Sequence, residues 1–404
     1  MELKLANKQN FFIERVLAGE NVFLTGKAGT GKSFITQLAI KKLQERGKKV
    51  IAIAPTGIAA NNINGATIHS TFSLTPFGLL TYETCNFLKA EKRRMLALVD
   101  TIFIDEVSML RCDVIDALNW TLIKNGCGPL TKKQIIFVGD MKQLKSPIDD
   151  NMLSVILEKY NGPEFFRSQI YDKLDVLDIE LDEMQRQSDP EFIENLNIIR
   201  DGKKSPYFRQ FVTKTPRGIV LAPHNATVAK YNEEGFNSVE GKEYIFNAVV
   251  EGNVKASDFN VESTIKMKDG CKIMYLVNSK NNRLINGTLG TFRTRKDERT
   301  GEQIYLIEVD GIQFGIEPMI FAKKEYVLNE KLNVLELVEI GSITQYPIKL
   351  AYALTIHKSQ GLTFEEATID LSLPCFSEGQ LYVALSRVKS PEGLNLIVNE
   401  NVKT

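Results

Sequence analysis

A glycine-rich octapeptide, GKAGTGKS at 26–33, is the part of the chain whose residue types and spacing point most directly to chemistry. It is a complete G-x-x-x-x-G-K-[ST] phosphate loop, standing between an apolar run at 22–24 and a segment with apolar residues at helical spacing. In such a strand, turn and helix, backbone N–H groups surround phosphate oxygens at the helix N-terminus. The segment therefore predicts binding of a nucleoside triphosphate.

Residues of this loop have different expected roles. Lys32 is expected to reach the β- and γ-phosphates, and Ser33 to offer its hydroxyl to Mg²⁺. The full set predicted to hold ATP here is Gly26, Lys27, Ala28, Gly29, Thr30, Gly31, Lys32, Ser33 and Phe34. The alternative is an ordinary glycine turn before a helix, which the complete motif in its strand-and-helix context disfavours.

Two later strand ends carry further groups suited to hydrolysis. Asp105 and Glu106 end an apolar run within IDEVSM at 104–109. We predict that Asp105 holds Mg²⁺, directly or through water, and that Glu106 is the general base for the attacking water. Gln143, in GDMKQL at 139–144, is predicted to orient that water or to sense the γ-phosphate. The alternative interpretation is that Asp105 and Glu106 are simply an exposed acidic pair at the end of a strand.

Composition narrows the class of protein. The 404 residues predict two or three domains, and 43% apolar residues suffice for real cores. There are 50 basic residues (Lys and Arg) and 50 acidic residues (Asp and Glu), so the formal net charge is zero. Any surface that binds nucleic acid must therefore be a local groove. No membrane span or signal peptide is indicated, and the scattered cysteines predict reduced thiols. We expect a cytoplasmic protein without membrane contact, associated with the nucleoid if bacterial.

The predicted secondary structure that must position these residues changes along the chain, from alternating strands and helices to short strands and back. Apolar runs separated by helical stretches occur at 50–56, 101–106, 135–140 and 218–223. This alternation predicts parallel sheets. From about 266 to 345 the pattern becomes short strands separated by turns such as NG and DG, which predicts a small antiparallel barrel. The α/β pattern then returns, so we predict a barrel inserted in a second α/β domain.

Seven stretches together resemble superfamily-one helicases, and most of all the Pif group of 5′→3′ DNA helicases. They are NVFLTGKAGTGKS (21–33), APTGIAANNINGATIHSTF (54–72), IDEVSMLRCDVIDAL (104–118), VGDMKQL (138–144), EMQRQ (183–187), YALTIHKSQGLTF (352–364) and QLYVALSRVKSPEGL (380–394). The resemblance implies an α/β fold of two RecA-like P-loop NTPase domains with parallel sheets, plus a small inserted antiparallel SH3-like β-barrel. A departure from the family pattern, GPLTKKQ at 128–134, concerns surface contacts and not the ATPase.

The resemblance also implies a division of the chain. A RecA-like ATP-binding domain is expected at 1–180, with a small wedge insertion at about 72–98. The second RecA-like domain is expected at 181–265 and 346–404, and the SH3-like insertion at 266–345.

Further nucleotide contacts come from the resemblance alone. Gln9 resembles the glutamine that reads the adenine edge, and Gly361 resembles a phosphate-adjacent glycine. Arg186 and Arg387 resemble the two arginines that stabilise the γ-phosphate, a task that suits a planar guanidinium.

Candidate DNA contacts lie in both predicted α/β domains. By resemblance they are Pro55, Thr56, Gly57, Thr67, His69, Asn225, His357 and Lys358. Phe72 and Phe77 are further candidates that either stack on bases or pack inside the first domain. Packing is favoured for Phe72, and both alternatives stay open for Phe77.

These observations predict an ATP- and Mg²⁺-dependent 5′→3′ DNA helicase or translocase that unwinds duplex, fork or G-quadruplex DNA. Its expected partners are single-stranded DNA and junctions between single and double strands, and we expect it to act as a monomer, with a dimer as the alternative. The family-level settings are DNA repair, recombination, replication and telomere maintenance. Alternatives are an ATPase of the same fold that remodels RNA or nucleoprotein and, less favoured, a non-catalytic ATP-gated DNA clamp.

Overall fold

The computed structural model describes residues 5–75, 78–146, 148–182, 187, 189–252, 254–259, 261–277, 279, 284–329 and 331–399. The chain forms two compact units. Unit 1 comprises Met1–Arg186 and Lys323–Ile340, and unit 2 comprises Gln187–Ala322 and Gly341–Thr404. Among the described residues, no helix is both long enough and apolar enough to cross a bilayer.

Unit 1 is built on a six-stranded parallel sheet in the order β3-β2-β4-β5-β1-β6. Its strands are β1 (Asn21–Gly26), β2 (Val50–Ala54), β3 (Ala66–Thr67), β4 (Thr101–Ile104), β5 (Gln134–Val138) and β6 (Val176–Leu181). Its helices are α1 (Asn7–Leu17), α2 (Lys32–Glu45), α3 (Gly57–Asn62), α4 (Ile68–Phe72), α5 (Ala90–Leu98), α6 (Cys112–Lys124) and α7 (Asp150–Lys159). The register pairs Val22 with Ile136 and Leu177, so the phosphate loop leaves a strand with neighbours on both sides.

Helices cover both faces of this sheet, which explains why its strands are continuous apolar runs. Helices α1, α2 and α3 contribute to one core cluster, and α4, α5 and α6 to another. Alternate residues of β4 enter different clusters: Ile102 and Ile104 pack with the second, and Phe103 with the first. Every residue of β2 and β4 is buried.

A β-hairpin that arrives late in the sequence packs on unit 1. Its strands are β15 (Met319–Asn329) and β16 (Val334–Gln345), numbered in chain order with those of unit 2 below. The hydroxyl of Tyr326 on β15 accepts a hydrogen bond from the backbone N–H of Ala52 at 2.9 Å. Leu328, Leu335 and Leu337 pack against the second core cluster of unit 1. No motif in the sequence indicated this attachment.

Unit 2 contains a second parallel sheet, of four strands in the order β18-β7-β19-β20. These strands are β7 (Ile219–Ala222), β18 (Ala353–Thr355), β19 (Ala367–Leu371) and β20 (Leu394–Val398). The helices of the unit are α8 (Pro190–Arg200), α9 (Asn225–Asn237) and α10 (Gln380–Leu385).

The rest of unit 2 is antiparallel. Five strands pair in the order β14-β13-β12-β11-β17, β10 pairs with β8, and β9 pairs with β16. They are β8 (Glu243–Asn247), β9 (Val249–Gly252), β10 (Thr264–Lys268), β11 (Lys272–Tyr275), β12 (Leu289–Lys296), β13 (Gln303–Val309), β14 (Ile312–Gly315) and β17 (Ile348–Leu350). A core around Phe246, Phe292 and Ile307 holds these strands together. The predicted α/β class, with parallel sheets and inserted antiparallel structure, is confirmed.

Candidate functional site

The phosphate loop has the backbone geometry that its glycines require. Gly29 and Gly31 have φ values of 87° and 83°, in the left-handed region that favours glycine. Gly26 has a φ of 150°, and a Cβ placed on it would lie 2.6 Å from the carbonyl oxygen of Leu181. The loop can therefore carry side chains at these positions only with strain, and it leads directly into α2 at Lys32.

The Lys32 side chain folds back over this loop. Its ammonium donates to the carbonyl oxygens of Gly26 at 2.7 Å and Lys27 at 3.1 Å. The Thr30 hydroxyl also donates to the Lys27 carbonyl, at 3.0 Å. The structure thus places the predicted cation at the loop, where phosphate oxygens can replace carbonyls as its acceptors.

Asp105 and Glu106 follow β4 as a bent pair. Glu106 has a left-handed φ of 52°, and its N–H donates to Oδ1 of the buried Asp105 at 2.9 Å. Burial and then the charge of Glu106 raise the pKa of Asp105 to about 7, against the opposing effects of that hydrogen bond and of Lys32. A divalent cation favours the ionised carboxylate, so Asp105 and the exposed Ser33 hydroxyl on α2 fit Mg²⁺.

The segment after β5 lies against the residues that follow this pair. A Cβ on Gly139 would lie 2.8 Å from Val107 Cγ2, so glycine permits the close approach of the two strand ends. Asp140 caps the following turn through a 3.1 Å bond from the Lys142 N–H. Gln143 is buried, with its amide nitrogen 3.4 Å from Asp140 Oδ2. The structure therefore brings Gln143 to the sheet edge that holds Asp105.

Gln9 lies beside the phosphate loop. Its Nε2 is 3.2 Å from the position that a Cβ on Gly31 would occupy, and its Oε1 accepts from the Ala6 N–H at 3.2 Å. The N-terminal turn of α1 thus approaches the nucleotide loop, and the assignment of Gln9 to the adenine edge stays a prediction.

Arg387 is held inside unit 2. Only 1% of it is exposed. Its guanidinium donates to the carbonyl oxygens of Val383 at 2.8 Å and Leu362 at 3.3 Å, and to the Ser386 hydroxyl at 2.8 Å. The contact with Leu362 brings Arg387 next to Gly361, whose φ is 82°. Arg186, its predicted counterpart, lies outside the described residues.

The candidate DNA contacts of unit 1 follow two adjacent strands. Pro55, Thr56 and Gly57 follow β2, and the Thr56 hydroxyl accepts from the Ala59 N–H at 3.2 Å. Thr67 ends β3 and caps α4 by accepting from Ser70 N at 3.3 Å. Burial, followed by the charge of Arg111, lowers the pKa of nearby His69. These residues gather at the carboxyl edge of the sheet.

Phe72 does not belong to this surface. Its side chain is 0% exposed and packs in the second core cluster of unit 1, because the apolar side of α4 faces the sheet. Phe72 is therefore withdrawn as a DNA contact, and packing is the alternative that the structure has. Phe77 lies outside the described residues.

The candidate DNA contacts of unit 2 also follow adjacent strands. Asn225 begins α9 after β7, and His357 and Lys358 lie in a 3₁₀ turn after β18. Asn225 and Lys358 are exposed, and burial lowers the pKa of His357. Strands β7 and β18 pair in parallel, so their carboxyl ends lie side by side.

Comparison with known proteins identifies the family. A model of the family described as PIF1-like helicase matches residues 4–208. The ATP-dependent DNA helicase Pif1 of Campylobacter jejuni is 30% identical over 96% of this chain and 91% of that protein. The chain belongs to the PIF1-like helicase family. The human ATP-dependent DNA helicase PIF1 is 29% identical over 98% of this chain and 61% of its own length.

Solved structures of Pif1 helicases share the fold. The unliganded Pif1 of a Bacteroides species has 30% sequence identity and a TM-score of 0.84, covering 98% of this chain and 92% of that one. A Bacteroides Pif1 bound to single-stranded DNA has 31% identity and a TM-score of 0.68, with the same coverage.

Two residues of this PIF1-like helicase were missed by reasoning from the sequence. Lys349 on β17 is 6% exposed, and its ammonium has no hydrogen-bond partner among the described residues. Burial and then the charge of Lys358 lower the pKa of Lys349 to about 8.

Phe376, after β19, is a large exposed aromatic residue. Its position after an apolar run, near Pro374, was the only available signal for it.

Proposed function

We propose that this chain is an ATP-dependent DNA helicase that moves along single-stranded DNA and unwinds duplex at forks and junctions. The observation that carries the proposal is the phosphate loop with Lys32 folded over it, together with the buried Asp105 beside Glu106, whose pKa Lys32 lowers. It occurs in a chain whose relatives are named ATP-dependent DNA helicases.

The hydrolytic step follows from the residues of unit 1. Backbone N–H groups of the loop and the Lys32 ammonium bind the phosphates. Glu106 accepts a proton from the attacking water, which the Gln143 amide orients without adding charge. When bound by Ser33 and Asp105, Mg²⁺ supplies positive charge to the phosphate oxygens. Arg186 and Arg387 are proposed to stabilise the charge that develops on the transferred phosphoryl group, a role that requires the buried Arg387 guanidinium to become accessible.

Movement along DNA requires that nucleotide change the DNA affinity of each unit. Each unit carries its own candidate contacts, at the carboxyl ends of its parallel strands. Short hydroxyls, backbone N–H groups and Lys358 suit the sugar-phosphate backbone, which is the same at every step. These groups therefore support translocation that does not depend on sequence.

Substrate and assembly are proposed from the relatives. A Bacteroides Pif1 was solved bound to single-stranded DNA, and another structure is described as two coordinating Pif1 helicases unwinding forked double-stranded DNA. We propose 5′→3′ movement, action as a monomer on single strands, and a pair of molecules at forks as the alternative.

The rate of ATP hydrolysis tests this function. It should rise strongly on adding single-stranded DNA and much less on adding RNA of equal length and composition. Stimulation mainly by RNA would instead identify an RNA-remodelling enzyme of the same fold. Absence of hydrolysis with either polymer would support the non-catalytic clamp.

A further inference from the structure

The loop after β19 presents a phenylalanine ring to solvent. Phe376 is 62% exposed. A single exposed apolar side chain is ordinary on a protein surface. This ring, however, is held by specific contacts and lies beside residues predicted to bind DNA.

Two histidine rings and one buried amide position Phe376. The His357 ring stacks on it, with centroids 5.8 Å apart and planes 16° apart. The His224 ring lies with its centroid 5.2 Å away, at 46°, and its Nε2 is 3.1 Å from the Pro374 carbonyl oxygen. The Phe376 N–H donates to Oε1 of the fully buried Gln380 at 3.1 Å. The ring is therefore a positioned group on a supported loop.

The place of this group in the sheet points to a ligand. Strands β18, β7 and β19 are neighbours and run parallel. His357, His224 and Phe376 each follow the carboxyl end of one of these strands. Open parallel sheets bind their ligands at that edge. Three separate loops thus converge on one aromatic group where a ligand is expected.

Groups suited to a phosphate flank the aromatic group. Asn225 follows His224, Lys358 follows His357, and both side chains are exposed. Burial lowers the pKa of His357 and so favours its uncharged imidazole. An uncharged ring stack beside a cation and an amide matches a nucleotide, which combines an aromatic base with an anionic phosphate.

We propose that Phe376 is a base-stacking residue for single-stranded DNA, with Lys358 and Asn225 contacting the backbone beside it. Every base has a π-face, so this contact accepts any sequence, as a translocating enzyme requires. The inference rests on the proposed function, because it takes single-stranded DNA as the ligand.

The test compares Phe376→Ala with the unaltered protein by fluorescence anisotropy, using a short oligothymidylate and an abasic oligomer of the same length. Loss of one stacked base should weaken binding of the oligothymidylate by about 5- to 150-fold. Binding of the abasic oligomer should not change, since it has no base to stack. The salt dependence of binding should also stay the same, whereas Lys358→Ala should lower the slope by about one.

Matched variants separate the ring from its bulk. Phe376→Tyr retains an aromatic face and should bind like the unaltered protein. Phe376→Leu retains apolar bulk without the ring and should bind like Phe376→Ala. Ile312→Ala removes an exposed apolar side chain from β14 and should have no effect.

Each outcome has a distinct meaning. If the unaltered protein binds oligothymidylate and Phe376→Ala binds equally well, the inference fails and the proposed function stands. Equal losses on both oligomers would assign Phe376 a structural role and would also overturn the inference. If the unaltered protein does not bind single-stranded DNA, the proposed function itself fails.

Discussion

Lys32 shows how a single side chain links the phosphate loop to hydrolysis. Its ammonium donates to two carbonyl oxygens of the loop and contributes to the electrostatics of Asp105. We propose that the residue acts on both the phosphates and the carboxylate expected to hold Mg²⁺. Removing it should abolish chemistry without disturbing unit 2, where the candidate contacts Asn225, His357 and Lys358 lie.

Lys32→Ala should lower ATP hydrolysis about a hundredfold or more, because a preorganised charge at the phosphates is lost. Binding of single-stranded DNA without nucleotide should change little. The control is Lys41→Ala, an exposed residue on the same helix that should hydrolyse ATP normally. Unchanged turnover in Lys32→Ala would remove its assigned role, and a parallel loss of DNA binding would indicate misfolding.

The charged form of Lys349 lowers the stability of the folded protein. Burial and the charge of Lys358 disfavour this form and lower the pKa of Lys349 from 10.5 to about 8. Below pH 8 the lysine is charged in both the folded and the unfolded protein, so the cost is fully present. Between pH 8 and 10.5 the unfolded state binds more protons, and the stability of the unaltered protein rises with pH.

Lys349→Met should therefore raise the free energy of unfolding below pH 8 by up to about 3 kcal/mol. This gain should shrink towards pH 10.5, which urea denaturation at several pH values can measure. Lys266→Met, at an exposed position of β10, provides the matched control. A gain that is the same at every pH would contradict the assignment of the cost to the buried charge.

At the scale of elements, the β15–β16 hairpin completes unit 1. Strand β3 pairs with β2 only at Ile53 and Ala54. The Tyr326 hydroxyl accepts a hydrogen bond from the backbone N–H of Ala52, the residue before Ile53 on β2. The Lys92–Glu325 ion pair, at 3.2 Å, is a second contact between the hairpin and the rest of unit 1. The hairpin thus covers a part of the sheet edge that β3 leaves unpaired.

Tyr326→Phe should destabilise unit 1 by about 1–3 kcal/mol, because the buried Ala52 N–H loses its acceptor. Chemical denaturation followed by circular dichroism measures this change. Tyr82→Phe alters an exposed tyrosine of the same unit and should cost less than about 0.5 kcal/mol. Equal stability of Tyr326→Phe and the unaltered protein would show that the hydroxyl contributes nothing.

At the scale of the whole molecule, two units each carry a parallel sheet with candidate DNA contacts at its carboxyl edge. The net charge is zero, so bulk charge does not favour DNA binding, and we propose that these local groups hold DNA. We propose that the direction of movement arises from the two units acting in turn, since no single residue type encodes it.

A duplex with a 5′ single-stranded tail should be unwound in the presence of ATP, and one with only a 3′ tail should not. Strand separation on a native gel measures both substrates. A blunt duplex serves as the control for spontaneous melting. Unwinding from the 3′ tail alone would refute the proposed polarity while leaving the ATPase assignment intact.

Contiguous motifs could be recognised from the sequence because neighbouring residues determine the local backbone conformation of each motif. The phosphate loop needs only its glycines, Lys32 and the start of a helix, and IDEVSM needs only the end of a buried strand. The change from alternating strands and helices to short strands likewise predicted the antiparallel insertion. These features depend on residues close in sequence, so their types and spacing sufficed for both the fold class and the nucleotide loop.

Tertiary structure alone decided the contacts made by residues far apart in sequence. Tyr326 meets Ala52 across 274 positions, and Phe376 meets His224 and His357 only because three parallel strands are neighbours. Burial decided three further points. It placed Phe72 in the core of unit 1, it enclosed Arg387 in unit 2, and it left the Lys349 ammonium with no hydrogen-bond partner among the described residues. Which side chains lose solvent depends on how helices and sheets pack together, and that packing is a property of the folded chain.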